Sequence, residues 1–116
     1  MSAVAELAVP RAEAIARLND QLRKTATGGT IMVTKGVLAI SGYNPPELSK
    51  ALAAYDAFDA DNDPHGERDF GDLTLWDTDL FWKIDYYDAD LMFGSDDPAD
   101  TSKTKRVLTV MLTSEW

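Results

Sequence analysis

The one histidine in the sequence, His65, is followed at two-residue spacing by Glu67 and Asp69. An imidazole flanked by carboxylates is the arrangement of a general base working near neutral pH. No serine or threonine is marked beside it as a nucleophile, and one histidine without any cysteine does not make an ordinary catalytic zinc site. The same stretch also reads as a cation loop. With Asp61 at position 1, Asp63, His65, Gly66, Glu67, Asp69 and Asp72 fall at positions 3, 5, 6, 7, 9 and 12, and the glycine sits at the sharp turn. Against this, histidine is a poor ligand for a hard cation, and Asp72 is shorter than the bidentate glutamate usual at position 12. Pairs such as Asp77 and Asp79 offer the two carboxylates of a hydrolase, as any acidic chain does. The favoured reading is a structured acidic turn in which His65 staples the loop or is solvated, with no catalytic residue, metal or cofactor. A metal-binding or hydrolytic module on Asp61–Asp72 is the alternative.

The acidity extends well beyond that loop. Twenty Asp and Glu against eleven Lys and Arg give a net charge of -9 over 116 residues and a pI near 4.3. Fifteen of the acids but only two bases, Arg68 and Lys83, lie between Asp56 and Asp100, a local charge of -13; the flanking segments are each +2. Such a balance argues against direct contact with nucleic acid or an anionic membrane. It suits either solubility or the presentation of carboxylates to a basic protein surface built for phosphates. Same-face residues on a strand lie roughly 6.6 Å apart, so strand and loop carboxylates can form a regular negative array. The residues expected to meet such a partner are Asp59, Asp61, Asp63, Glu67, Asp69, Asp85, Tyr87, Asp96, Asp97 and Asp100. The six loop aspartates among them are expected to be exposed.

The elements that position these residues follow from periodicity. From Arg11 to Ala26, Ile15, Leu18, Leu22 and Ala26 form one helical stripe, with Glu13–Arg17 and Asp20–Lys24 at i,i+4 on the other side. Gly28-Gly29 stops the helix. Thr30–Thr34 reads as a strand, Lys35-Gly36 as a turn and Val37–Ile40 as a second short strand. Asn44-Pro45-Pro46-Glu47 is a helix start with an N-cap, first-turn prolines and Glu at N3; that helix is expected from Pro45 to Phe58. After the loop Asp59–Gly71, DLTLW and DLFWKIDYY form a hairpin around Asp77-Thr78. Trp82 and Ile84 face the core, while Phe81 and Tyr87 share the other face with Lys83 and Asp85. Asp88–Ser102 is a second acidic loop, interrupted by Leu91-Met92-Phe93. Arg106–Ser114 reads as an interior strand, with a terminal helix as the competing reading. The order predicts a single α+β domain over residues 1–116, with two helices packed on one face of an antiparallel sheet of about four strands.

Composition narrows the classes further. Apolar residues make up 45% and charged residues 27%, as in a soluble globular domain. The absence of cysteine excludes disulfides, iron–sulfur clusters and thiol catalysis. No apolar run approaches the roughly 20 residues that cross a bilayer, and the N-terminus lacks the pattern of a signal peptide; a cytoplasmic location is expected. Several segments carry a family resemblance: Thr27-Gly28-Gly29 before IMVT, the loop DNDPHGERDFG, the run FWKIDYYD and the terminal RVLTVML. Together, over roughly Ile15 to Glu115, they resemble a small bacterial domain-of-unknown-function family, often found on plasmids and other mobile elements. The resemblance implies no catalytic assignment. Its mobile-element association implies a conflict role, such as an anti-CRISPR or anti-restriction inhibitor. The expectation is a non-enzymatic, DNA-mimic-like acidic protein whose partner is a basic, nucleic-acid-binding defence component.

Overall fold

The structure, a computed structural model, describes residues 9–116. Helix α1 (Arg11–Thr25) follows Pro10 and ends at Ala26, which caps it in the left-handed conformation at φ 57°. It buries Ile15, Ala16, Asn19, Leu22 and Arg23, so the inward stripe is rotated from the expected one: Leu18 is only half-buried and Ala26 exposed. The rotation is favourable because the polar ends of Asn19 and Arg23 find partners inside. Of the two expected ion pairs, Arg17–Glu13 forms at 3.2 Å, whereas Asp20 pairs with Arg23 and Arg68 instead of Lys24.

Strand β1 (Thr30–Val33) leads directly into a single helical turn, α2 (Lys35–Leu38), where a strand over Val37–Ile40 was expected. Thr34 accounts for the difference, since its hydroxyl accepts the Val37 amide at 3.4 Å as an N-cap. One buried apolar residue, Val37, satisfies a helix turn as well as a strand. Helix α3 (Pro45–Ala54) begins as its sequence dictates, with Asn44 Oδ1 accepting the Glu47 amide at 3.1 Å. It stops four residues short of Phe58. Tyr55 turns extended, at φ −64° and ψ 128°, and its ring packs edge-on against Trp82 and Phe58. Arg23 donates to the carbonyls of Leu52 and Tyr55 at 2.8 and 2.9 Å, adding charge-assisted bonds at the helix end, where the Leu52 carbonyl also accepts the Tyr55 amide.

Strands β2 (Phe70–Leu75) and β3 (Thr78–Tyr87) form the hairpin. Its two-residue turn is Trp76-Asp77, one residue earlier than expected, with both residues at positive φ as a primed turn requires. Tyr43 packs edge-on against Trp76 at 5.4 Å and holds that unusual tryptophan in place. The chain closes with strand β4 (Lys105–Leu112), not a terminal helix, and a 3₁₀ turn, Thr113–Glu115.

The sheet order is β1-β4-β3-β2. The β2–β3 and β3–β4 pairs are antiparallel, but β1 runs parallel to β4 from Thr30↔Val107 to Val33↔Val110. The sheet is therefore mixed, not antiparallel throughout. No tight turn links β1 to β4, so nothing in the connection forces the antiparallel direction. The covered face carries Leu80, Trp82, Ile84, Leu108 and Val110, which meet Leu22 of α1, Val37 of α2 and Leu48 and Leu52 of α3 in one core. Gly71 is required where β2 passes this core: a Cβ there would lie 2.5 Å from both the Trp82 indole nitrogen and the Tyr55 ring. Among the described residues, no helix is long and apolar enough to cross a membrane.

Candidate functional site: two acidic loops on a polar hub

The first acidic loop, residues 56–69, is built by its own aspartates and asparagine. Asp59 Oδ1 accepts the amides of Asp61 and Asn62 at 2.9 and 3.0 Å, and Asn62 donates to the Ala57 carbonyl at 2.8 Å. These are the local side-chain turns for which short polar residues are favoured. Asp63 Oδ1 accepts the Arg68 amide at 2.9 Å, with Arg68 at φ 53°. The Arg68 guanidinium then reaches back to helix α1. It donates to both Glu13 oxygens at 3.1 Å and to Asp20 at 2.8 to 3.1 Å. Those bonds hold the Glu13 carboxyl below its usual range and raise the Arg68 pKa.

The second loop, residues 88–104, repeats the device. Asp88 Oδ1 accepts the amides of Asp90 and Met92 at 3.2 and 3.1 Å, and Asp100 Oδ1 accepts the Ser102 amide and hydroxyl at 2.9 and 2.6 Å. The Ser102 bonds lower the Asp100 pKa. Asp97 Oδ1 accepts the Ala99 amide and pairs with Arg11 of α1. At the tip, Leu91, Met92 and Phe93 are 57%, 72% and 71% exposed, with Leu91 at φ 59°.

Both loops are fastened to one buried polar hub. Asn19, with no exposure at all, donates to the Glu67 carbonyl of the first loop at 3.0 Å and to the Tyr86 hydroxyl at 2.7 Å. Its Oδ1 accepts Arg106 Nε at 2.9 Å, and Arg106 also donates to the Pro98 carbonyl of the second loop. Arg106 stacks over the Tyr86 ring at 5.2 Å, and Tyr86 donates to Glu67 Oε1 at 2.9 Å. Burial lowers the Arg106 pKa and raises that of Tyr86. It also raises that of Asp69, helped by the nearby charges of Glu67 and Asp63. Of the hub residues, Glu67 is among those the sequence singles out, while Asn19, Tyr86 and Arg106 are not. Their signal was there, however: Asn19 and Arg23 interrupt the buried stripe of α1, and Arg106 alternates with Leu108 and Val110 on the inner face of β4.

The residues expected to meet a partner divide into three places. Asp59, Asp61, Asp63, Glu67 and Asp69 share the first loop, and Asp96, Asp97 and Asp100 the second. Asp85 and Tyr87 lie on the open face of β3, where Lys83 pairs with Asp85 at 3.0 Å and Tyr87 stands opposite Lys105. Of the loop aspartates expected to be exposed, Asp59, Asp61 and Asp96 are; Asp63, Asp97 and Asp100 are half-buried, and like the exposed Asp59 they accept loop amides. The geometry does not gather Asp61, Asp63 and Asp72 into a cation loop. Asp63 is engaged by an amide, and Asp72 sits on β2 at 3.4 Å from the Tyr55 hydroxyl. Among the described residues, no three histidine or acidic side chains converge as a metal-ligand group. His65 is exposed.

Fold and surface together define a small α+β domain whose acidic loops are pinned in place by internal hydrogen bonds. The chain belongs to DUF3768, a family of proteins of unknown function, which it matches over residues 33–115. The match starts later than the Ile15 expected from the motifs. It spans the β2-β3-β4 meander and both acidic loops, and leaves helix α1 outside. No curated protein and no solved structure matches the chain.

Proposed function

We propose that this protein is a non-enzymatic, cytoplasmic binder of a basic protein surface, one built to grip nucleic acid phosphates. The observation that carries the reading is charge left unneutralised. Of the fifteen acids between Asp56 and Asp100, Asp85 and Asp97 are the two with a cation partner among the described residues. Arg68, one of the stretch's two bases, pairs with Glu13 and Asp20, which lie outside it. Self-repulsion of this kind destabilises the folded chain, and solubility alone does not require it to be so concentrated. Loops already fixed by their own turns lose little entropy when a partner binds. An inhibitor of a nucleic-acid-handling defence system, of anti-restriction or anti-CRISPR type, is the role that fits such an array.

The test is to capture a partner from bacterial lysate and measure its binding to two triple variants. One replaces Asp59, Asp61 and Asp63 with Asn, the other Asp96, Asp97 and Asp100. Asparagine keeps the Oδ1 acceptor, so both variants should fold. Association should slow in at least one of them, parent binding should weaken as salt rises, and duplex DNA should compete. Parental affinity in both variants with no effect of salt would make the acidic stretch a solubility device.

A further inference from the structure

We infer that the helix-free face of the sheet takes arginine side chains of that partner, an inference that rests on the partner being basic. On this face Asp79 and Phe81 are two residues apart on β3, and Asp72 stands opposite Phe81 on β2, with Phe70 two residues further along β2. Trp116 folds back over the two phenylalanines, its ring centroid 5.1 Å from Phe70 and 5.7 Å from Phe81, yet it stays 69% exposed. Beside it opens a recess of about 370 Å³ lined by Thr34, Lys83, Met111 and Glu115. The cation in that recess is already paired, Lys83 with Asp85 at 3.0 Å, and Glu115 accepts the Thr34 hydroxyl at 2.7 Å. Asp72 and Asp79 have no cation partner among the described residues.

An exposed indole on a sheet face that also carries two carboxylates bonded only by neutral hydroxyls, Asp79 by Thr74 at 2.9 Å and Asp72 by Tyr55 at 3.4 Å, meets two needs of a guanidinium at once. The plane stacks on the aromatic ring, and the N–H fork bonds the carboxylate oxygens. A lysine ammonium answers the charge but is more strongly hydrated and has no plane to stack. The occupant is thus an arginine-rich segment of a basic protein. A second copy of this chain fits poorly, because it would set Asp72 and Asp79 against carboxylates of the same sign.

Nona-arginine and nona-lysine peptides, titrated at low salt into the full chain, separate these ideas by calorimetry and tryptophan fluorescence. The arginine peptide should bind about fivefold more tightly, the scale of an exposed cation–π contact. That preference should vanish in Trp116→Ser, and in Phe81→Thr as a second variant, with circular dichroism checking the fold and lysine-peptide binding unchanged. Equal, salt-sensitive binding of both peptides, or an arginine preference that survives both variants, would overturn this inference and leave the acidic reading standing. Binding of neither peptide would remove both. A dimer in sedimentation with Trp116 shielded from acrylamide would also overturn it, since the face would then be covered by a second copy.

Discussion

Arg68 ties the loop before β2 to helix α1 through charge-assisted bonds to Glu13 and Asp20, with its side chain 25% exposed. The loop after β3 meets the same helix through Arg11 and Asp97, whose side chains are 55% and 37% exposed. Both loops are Asp-rich, and both use aspartate oxygens to close their own turns. What separates them is the cation that each receives and how dry its surroundings are. In the first loop Phe58 packs against the core while Ala57, Ala60 and Pro64 are exposed, whereas the second holds the larger Leu91, Met92 and Phe93 out in solvent. Acidic composition therefore sets the charge of a loop, while a few basic residues elsewhere set how firmly that charge is held.

The largest effect should come from the contact that the two loops share. Arg106→Leu leaves Asn19 Oδ1 and the Pro98 carbonyl without their donor in a site that is 2% exposed at Arg106. Leaving a buried acceptor without its donor in this way costs about 1–3 kcal/mol for each of the two. Urea unfolding should show that loss, and hydrogen exchange should speed up in both loops together. Protection lost in one loop alone would mean that the hub is not shared.

A smaller effect should split the loops. Arg68→Ala removes five hydrogen bonds at a half-buried site and should cost about 1–2 kcal/mol. Exchange should rise over residues 56–69 and stay unchanged over residues 88–104. Arg11→Ala is its counterpart on the second loop, and an exposed pair is worth at most about 1 kcal/mol. Equal destabilisation by the two substitutions would erase the proposed difference in anchoring.

The parts of this arrangement written in local pattern were legible beforehand. Asn44-Pro45-Pro46-Glu47 starts α3, the alternation through Leu80, Trp82 and Ile84 marks the buried face of β3, and Arg106–Leu112 is the strand expected there. The parts set by distant partners were not. Val37 alone cannot tell a helix turn from a strand, and the parallel pairing of a four-residue β1 depends on where α1 delivers the chain. The site was legible as charge and not as geometry. Clustered aspartates announce an acidic surface, but Asn19 sits 48 residues from Glu67 and 87 from Arg106, and no spacing in the sequence records those contacts.

The pH dependence of Tyr86 sharpens the comparison furthest, because its hydroxyl bonds the first loop and not the second. Burial raises its pKa above the usual 10.0 even though the bond from Asn19 works the other way; burial raises that of Tyr55 as well. A raised tyrosine pKa means that the folded chain keeps a proton which the unfolded chain releases near pH 10. The stability it contributes is therefore complete below pH 10 and declines as pH rises toward the folded value. Tyr86→Phe should cost about 1 kcal/mol at neutral pH, the scale of the hydrogen bonds it removes. Above pH 10 its stability should fall less steeply than the parent's, by up to one proton, so the two curves converge. At neutral pH the Tyr86→Phe variant should lose exchange protection over residues 56–69 and not over residues 88–104, because it lacks the Tyr86–Glu67 bond. Parallel stability curves for parent and variant above pH 10 would mean that Tyr86 keeps an ordinary pKa, and loss of protection in both loops would mean that its hydroxyl does not anchor the first loop selectively.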